Sequence, residues 1–122
     1  MGFVMVKLFY VILFSISILF FSCSDTCENE NPTVQLFNSG TGKADIQIKT
    51  SGGNTENINN IEPETYSEKR LFNPGEIEFT IAIQGVDDPI VYYLIVEYCT
   101  ENLVTIRSDN TVMSTSIKLD YF

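Results

Sequence analysis

From Thr33 onward, apolar side chains fall on alternate positions. Val34 and Leu36 flank Gln35, Ala44, Ile46 and Ile48 are separated by Asp45 and Gln47, and Ile77, Phe79, Ile81 and Ile83 by Glu78, Thr80 and Ala82. A period of two belongs to strands with one buried and one wet face, the pattern of antiparallel sheets. Residues 90–99, Ile-Val-Tyr-Tyr-Leu-Ile-Val-Glu-Tyr-Cys, are apolar on both sides over most of their length, which predicts a central strand. Residues 103–107 and 111–121 continue the pattern, with Met113, Thr115, Ile117, Leu119 and Tyr121 marking one face of the last strand. Residues 66–72 are a poorer strand candidate. Residues 54–64 are rich in Asn and Glu, carry only Ile58 and Ile61 as apolar anchors, and read as a long loop between strands. Turn-forming residues punctuate the runs: Ser39-Gly40-Thr41-Gly42, Ser51-Gly52-Gly53-Asn54, Asn73-Pro74-Gly75 and Ser108-Asp109-Asn110.

No helical period follows residue 22. About seven short strands in a domain of this length predict an all-β fold, a single antiparallel β-sandwich, with a small closed β-barrel as the alternative. The segment Phe72-Asn73-Pro74-Gly75-Glu76-Ile77-Glu78-Phe79 resembles a turn-and-strand unit of transthyretin-like and related Ig-like sandwich modules in bacterial surface proteins, and Ile61-Glu62-Pro63-Glu64 would be its degenerate counterpart. The resemblance implies the sandwich and transfers no functional residue.

The other dominant pattern is at the N-terminus. Residues 8–21, LFYVILFSISILFF, form an uncharged apolar run of 14. A membrane-spanning helix needs about 20 such residues. A run of roughly 7–15 after a short basic start has the size of a secretory signal core. Lys7 supplies the only positive charge before it, and Met5 offers a second start that places this lysine more conventionally. The run ends in Leu19-Phe20-Phe21-Ser22-Cys23, which resembles the lipobox of bacterial lipoproteins at Ser22 and Cys23 and departs from it at Phe20 and Phe21. The resemblance implies cleavage before Cys23, acylation of its thiol and new amine, and attachment to a membrane. Two or more acyl chains hold stably where a single chain binds only marginally. An ordinary cleaved signal and an uncleaved anchor helix are the competing readings. The following Ser24-Asp25-Thr26-Cys27-Glu28-Asn29-Glu30-Asn31-Pro32 looks like the acidic export signal of some outer-membrane lipoproteins, or equally a solvated tether. The expected organisation is therefore a signal peptide over residues 1–22, a lipidated acidic tether over 23–32 and a β-sandwich over 33–122, exported and anchored to the bacterial membrane, with the outer membrane favoured.

Charge and composition narrow the functions. The chain of 122 residues holds 7 basic and 16 acidic residues, a net charge of −9, and no histidine. Loss of Lys7 with the signal leaves 6 basic and 16 acidic residues, net −10. Such a charge repels phosphate backbones and argues against nucleic acid as a partner. Without histidine, serine–histidine and cysteine–histidine nucleophile arrangements are unavailable, and so is imidazole for metals. Three cysteines are present. With Cys23 lipidated, export favours a disulfide between Cys27 and Cys99, against two free thiols or an intermolecular bridge.

The carboxylate pairs Glu62/Glu64, Glu76/Glu78 and Asp87/Asp88 are the remaining candidates for chemistry. Glu76 and Glu78 share one side of a strand, yet a domain of this size seldom supplies the cleft a glycosidase needs. Asp87-Asp88 lacks the Asp-x-Asp-x-Asp-Gly spacing of a calcium loop. No catalytic residue, metal site or cofactor is assigned. In the doubly apolar strand, Glu97 shares its side with Val91, Tyr93, Ile95 and Cys99, which turns that side outward. Val91, Tyr93 and Ile95 then need a cover: the tether, the 54–64 loop or a partner protein. Cover by the chain itself is favoured, since a Cys27–Cys99 bridge would draw the tether there. The functional expectation is a non-catalytic, lipid-anchored binding or interaction module of the cell envelope, with protein or glycan as partner. A subunit acting by strand addition is the alternative, and a small acid-based hydrolase ranks below both.

Overall fold

In the computed structural model, whose described residues are 27–119, alternation becomes two packed sheets. The nine strands are β1 (Thr33–Asn38), β2 (Ala44–Lys49), β3 (Thr55–Ile61), β4 (Thr65–Tyr66), β5 (Arg70–Leu71), β6 (Gly75–Ile83), β7 (Ile90–Val96), β8 (Thr100–Ile106) and β9 (Val112–Lys118). One sheet runs β4-β1-β8-β9, with β5 also paired to β1 beyond β4's residues, and the other runs β3-β2-β6-β7. Both sheets have open edges, so the architecture is a sandwich and not a closed barrel; no helix occurs among the described residues. All pairings are antiparallel except β1 with β8, where Thr33–Asn38 lies parallel to Glu101–Ile106. The proposed signal over residues 1–22, Cys23 and the first part of the tether lie outside the described residues.

The core is the inward alternate set of both sheets. Val34, Leu36, Val104 and Ile106 come from the β1 sheet, and Ala44, Ile46, Ile48, Ile77, Phe79, Ile81, Ile83, Leu94 and Val96 from the β2 sheet. Apart from Ala44, each such side chain, when fully buried, contributes roughly 1.5–3 kcal/mol, which makes this set the main source of stability. At one flank Tyr92 Oη on β7 and Ser114 Oγ on β9 are 2.6 Å apart, linking the sheets. At the other, Asn38 on β1 donates through Nδ2 to the Ile61 carbonyl on β3 (2.9 Å). Hence β7 lies over β9, and β3 over the β4–β5 side. The β8–β9 turn is held by Asp109, whose Oδ1 accepts from the Thr111 hydroxyl (2.6 Å) and amide (3.1 Å). The hydroxyl bond foremost, then the amide, holds the Asp109 carboxyl below its usual value.

Two expectations change, and the orientation of the last strand is now fixed. Residues 54–64 are not a loop: most of them form β3, paired to β2. Ile58 and Ile61 are three apart, which breaks the period of two. A bulge opposite Ala44–Ile46 restores both to the core, since Ala44 faces Ile61 and Ile46 faces Ile58. Asn60 adopts the left-handed backbone this requires (φ 60°) and gives its N–H to Asp45 Oδ1 at 2.8 Å. The doubly apolar strand is not central either. It is β7, the edge of its sheet, hydrogen-bonded only to β6 among the described residues. The central strands are β1, β8, β2 and β6, and their outer faces carry more polar residues than that of β7. Finally, the Met113–Thr115–Ile117 side of β9 is its outer side. Val112, Ser114 and Ser116 stand opposite Ile106, Val104 and Asn102, whose side chains are buried, so the inner side of this strand is mostly hydroxyl.

Candidate functional site

The surface with the clearest unmet physical requirement is the outer side of β7. Val91, Tyr93 and Ile95 are 49 %, 57 % and 68 % exposed. They form a continuous stripe because alternate strand residues share a face. Their neighbours on β6 are Thr80, Glu78 and Glu76 respectively. Further in, Lys49 and Gln47 of β2 stand beside Glu78 and Thr80. The apolar stripe therefore occupies the rim of an otherwise polar sheet face.

The reading of Glu97 gave the correct side, and the expected cover by the chain's own tether does not occur among the described residues. Cys27 and Cys99 are disulfide-bonded. Cys99, however, sits in the β7–β8 turn with a left-handed backbone (φ 60°). Its N–H donates to the Glu30 carbonyl (2.9 Å), and its carbonyl accepts from Leu119 N–H (2.8 Å). Residues 28–32 thus pass the end of β7 and lead into β1, with the Pro32 carbonyl accepting from Phe72 N–H (3.0 Å). They do not run across the stripe. β3 cannot cover it, lying at the far flank of the same sheet.

The acidic pairs are placed as follows. Glu76 and Glu78 do lie side by side on the outer face of β6, where with Lys49, Thr50 and Ser51 they border an open depression of about 350 Å³. Asp87 and Asp88 are exposed in the β6–β7 connection, at the Ile90 end of β7. Glu62 is bound in an ion pair to Lys43 (3.3 Å), and Glu64 accepts from the Ser39 hydroxyl (3.3 Å). No group of three or more metal-ligating side chains converges among the described residues. Another depression, of about 420 Å³, is lined by Lys43, Asp45, Asn60, Ala82, Ile83 and Gln84 at the edge of the bulge, and is equally open. In the first depression the Thr50 and Ser51 hydroxyls donate to the Asn54 and Pro74 carbonyls (3.2 and 3.3 Å) and not to a carboxylate.

A second exposed apolar area escaped sequence reasoning. On the outer face of the β1 sheet, Tyr66 and Leu71 are mostly exposed, and the Tyr66 ring stacks at a tilt on Phe37, centroids 4.4 Å apart. Ile117 of β9 is 63 % exposed on the same outer face. The signal is in the alternation of residues 113–117, where Ser114 and Ser116 turn inward and Met113, Thr115 and Ile117 outward.

No family model and no curated protein matches this chain. Among solved structures it is similar to the C-terminal domain of AlgF from P. aeruginosa, at 14 % identity and a TM-score of 0.48, over 74 % of this chain and 99 % of that domain.

Proposed function

We propose that this chain is a non-catalytic, lipid-anchored protein of the bacterial cell envelope whose sandwich holds a protein partner against the outer side of β7. The observation that carries the reading is the Val91–Tyr93–Ile95 stripe, which is apolar, contiguous and exposed at the rim of a sheet. Exposed contiguous apolar surface on a small domain marks an interaction site. A tyrosine flanked by two branched aliphatic side chains has the composition of an interface centre, where aromatic residues are enriched and charge is depleted. The anchor part of the proposal rests on the 8–21 apolar run and Ser22-Cys23. The lack of histidine and the open, shallow depressions support a binding role over catalysis.

Two measurements test the two parts. Mass spectrometry of the protein purified from membranes is expected to find Cys23 as the acylated first residue; an unmodified Cys23 in a chain that retains residues 1–22 overturns the anchor. Capture from envelope extracts is then compared between the full chain and its Tyr93→Ala and Ile95→Ser variants. Loss of one defined partner with unchanged thermal stability supports the surface. Equal capture by all three overturns it.

A further inference from the structure

The two flanks of the sandwich are unlike. On the far flank every edge is blunted. β3 is bulged and lined with Asn57, Asn59 and Asn60, and β1 is covered by two strands of two residues each. Between those strands Ser67 completes the ladder: its N–H donates to the Leu36 carbonyl (2.8 Å), and its Oγ accepts from Leu36 N–H (2.9 Å). Such devices are what proteins use to stop an edge from pairing. On the near flank β7 has none of them. It is seven residues long, regular against β6 throughout, and without proline, charge or bulge. Alternate residues of an edge strand direct their N–H and carbonyl groups outward, where an added strand would satisfy them.

Charge says which strand. β7 itself is uncharged, but acids stand at both its ends: Asp87 and Asp88 before Ile90, and Glu97 after Val96. A second copy of this chain, paired antiparallel about Tyr93, would bring Asp87 and Asp88 within one or two positions of the partner copy's Glu97 at each end of the ladder. Like charges facing across strands destabilise the pair, and the net charge of −9 opposes self-association further. An extended segment with basic residues at both ends meets acids whichever way it runs.

We infer that the open edge of β7 receives a strand from another protein, apolar and uncharged over about seven residues and basic at both ends. The inference rests on the proposed interaction surface and specifies how it is engaged: through backbone pairing, with Val91, Tyr93 and Ile95 packing against the outward side chains of the added strand.

The test uses the full chain and three synthetic peptides. The first has an alternating valine–threonine core with a pair of lysines at each end. The second is its glutamate-ended twin, and the third is the lysine peptide N-methylated on alternate residues. The lysine peptide is expected to bind about tenfold or more tighter than its glutamate twin, to weaken with salt, and to slow hydrogen exchange at alternate β7 amides. The N-methylated peptide is expected not to bind, and the combined variant D87K/D88K/E97K to prefer the glutamate peptide. Indifference to end charge, undiminished binding of the N-methylated peptide, β7 amides already protected without peptide, or a β7-paired dimer in sedimentation would each overturn the inference. If these fail while Tyr93→Ala still abolishes partner capture, the partner docks on the face of the stripe, and the broader reading stands without strand addition.

Discussion

Asn38 is fully buried, and its position is dictated by what it satisfies. Its Nδ2 donates to the carbonyls of Gly42 and Ile61, both at 2.9 Å, and its Oδ1 accepts from Gly40 N–H at 2.9 Å. One side chain thereby closes the β1–β2 turn and ties β1 to β3 in the opposite sheet. In the sequence it reads only as the polar residue ending a strand, because its partners lie up to 23 residues away. Asn38→Ala leaves the buried Ile61 carbonyl without this partner and frees two part-buried groups of the turn. At about 1–3 kcal/mol for a buried unsatisfied group, and with the turn groups free to reach solvent, the expected loss is about 3 kcal/mol. Urea unfolding measures it; a loss below about 1 kcal/mol would mean that water replaces the side chain in all three bonds.

Whole strands were legible where the period of two was clean, as in β2 and β6, since a buried face and a wet face are written directly in alternation. Two strands were misread for physical reasons. β3 hid because its bulge breaks the period between Ile58 and Ile61, so the anchors looked too sparse for a strand. The sequence of β7 reads as a central strand because two apolar faces usually mean two covered faces. An edge strand with an exposed apolar outer face writes the same pattern, because polar alternation is missing in both cases. β9 shows a related inversion. Its apolar Ile117 faces out, while its serines face in and bond to Tyr92 Oη and Asn102 Oδ1. Stability should follow this orientation and not hydrophobicity. Ile117→Thr is expected to change unfolding free energy by less than about 0.5 kcal/mol, as for most exposed positions. Tyr92→Phe, which keeps the ring and removes only the bond to Ser114, should cost about 1 kcal/mol. Paired denaturation curves check both, and a larger loss from Ile117→Thr would indicate that this side of β9 is covered in solution.

Residues 28–119 form one compact unit, and Cys27 stands immediately before it. The disulfide to Cys99 therefore fixes the point at which the chain enters the sandwich, beside the end of β7. That pairing agrees with the expectation drawn from the cysteine count and the proposed export, whereas its consequence for the stripe is not legible in the sequence. Among the described residues the tether does not lie over Val91, Tyr93 and Ile95, because Cys99 belongs to the turn and not to the face of the strand. The bridge closes a loop of roughly 70 residues, which in the chain-entropy model contributes about 4 kcal/mol by restricting the unfolded chain. For a domain of this size 1 kcal/mol corresponds to about 4–8 °C, so reduction should lower the midpoint of thermal unfolding by roughly 15–30 °C. Cys27→Ser should melt where the reduced protein melts and become insensitive to reductant. Because the stabilisation acts on the unfolded state, the hydrogen-exchange pattern of native β7 should be the same with and without the bridge. If its loss instead slows exchange along β7, the reduced chain has found a way to cover its own edge, and the bridge serves to keep that edge open.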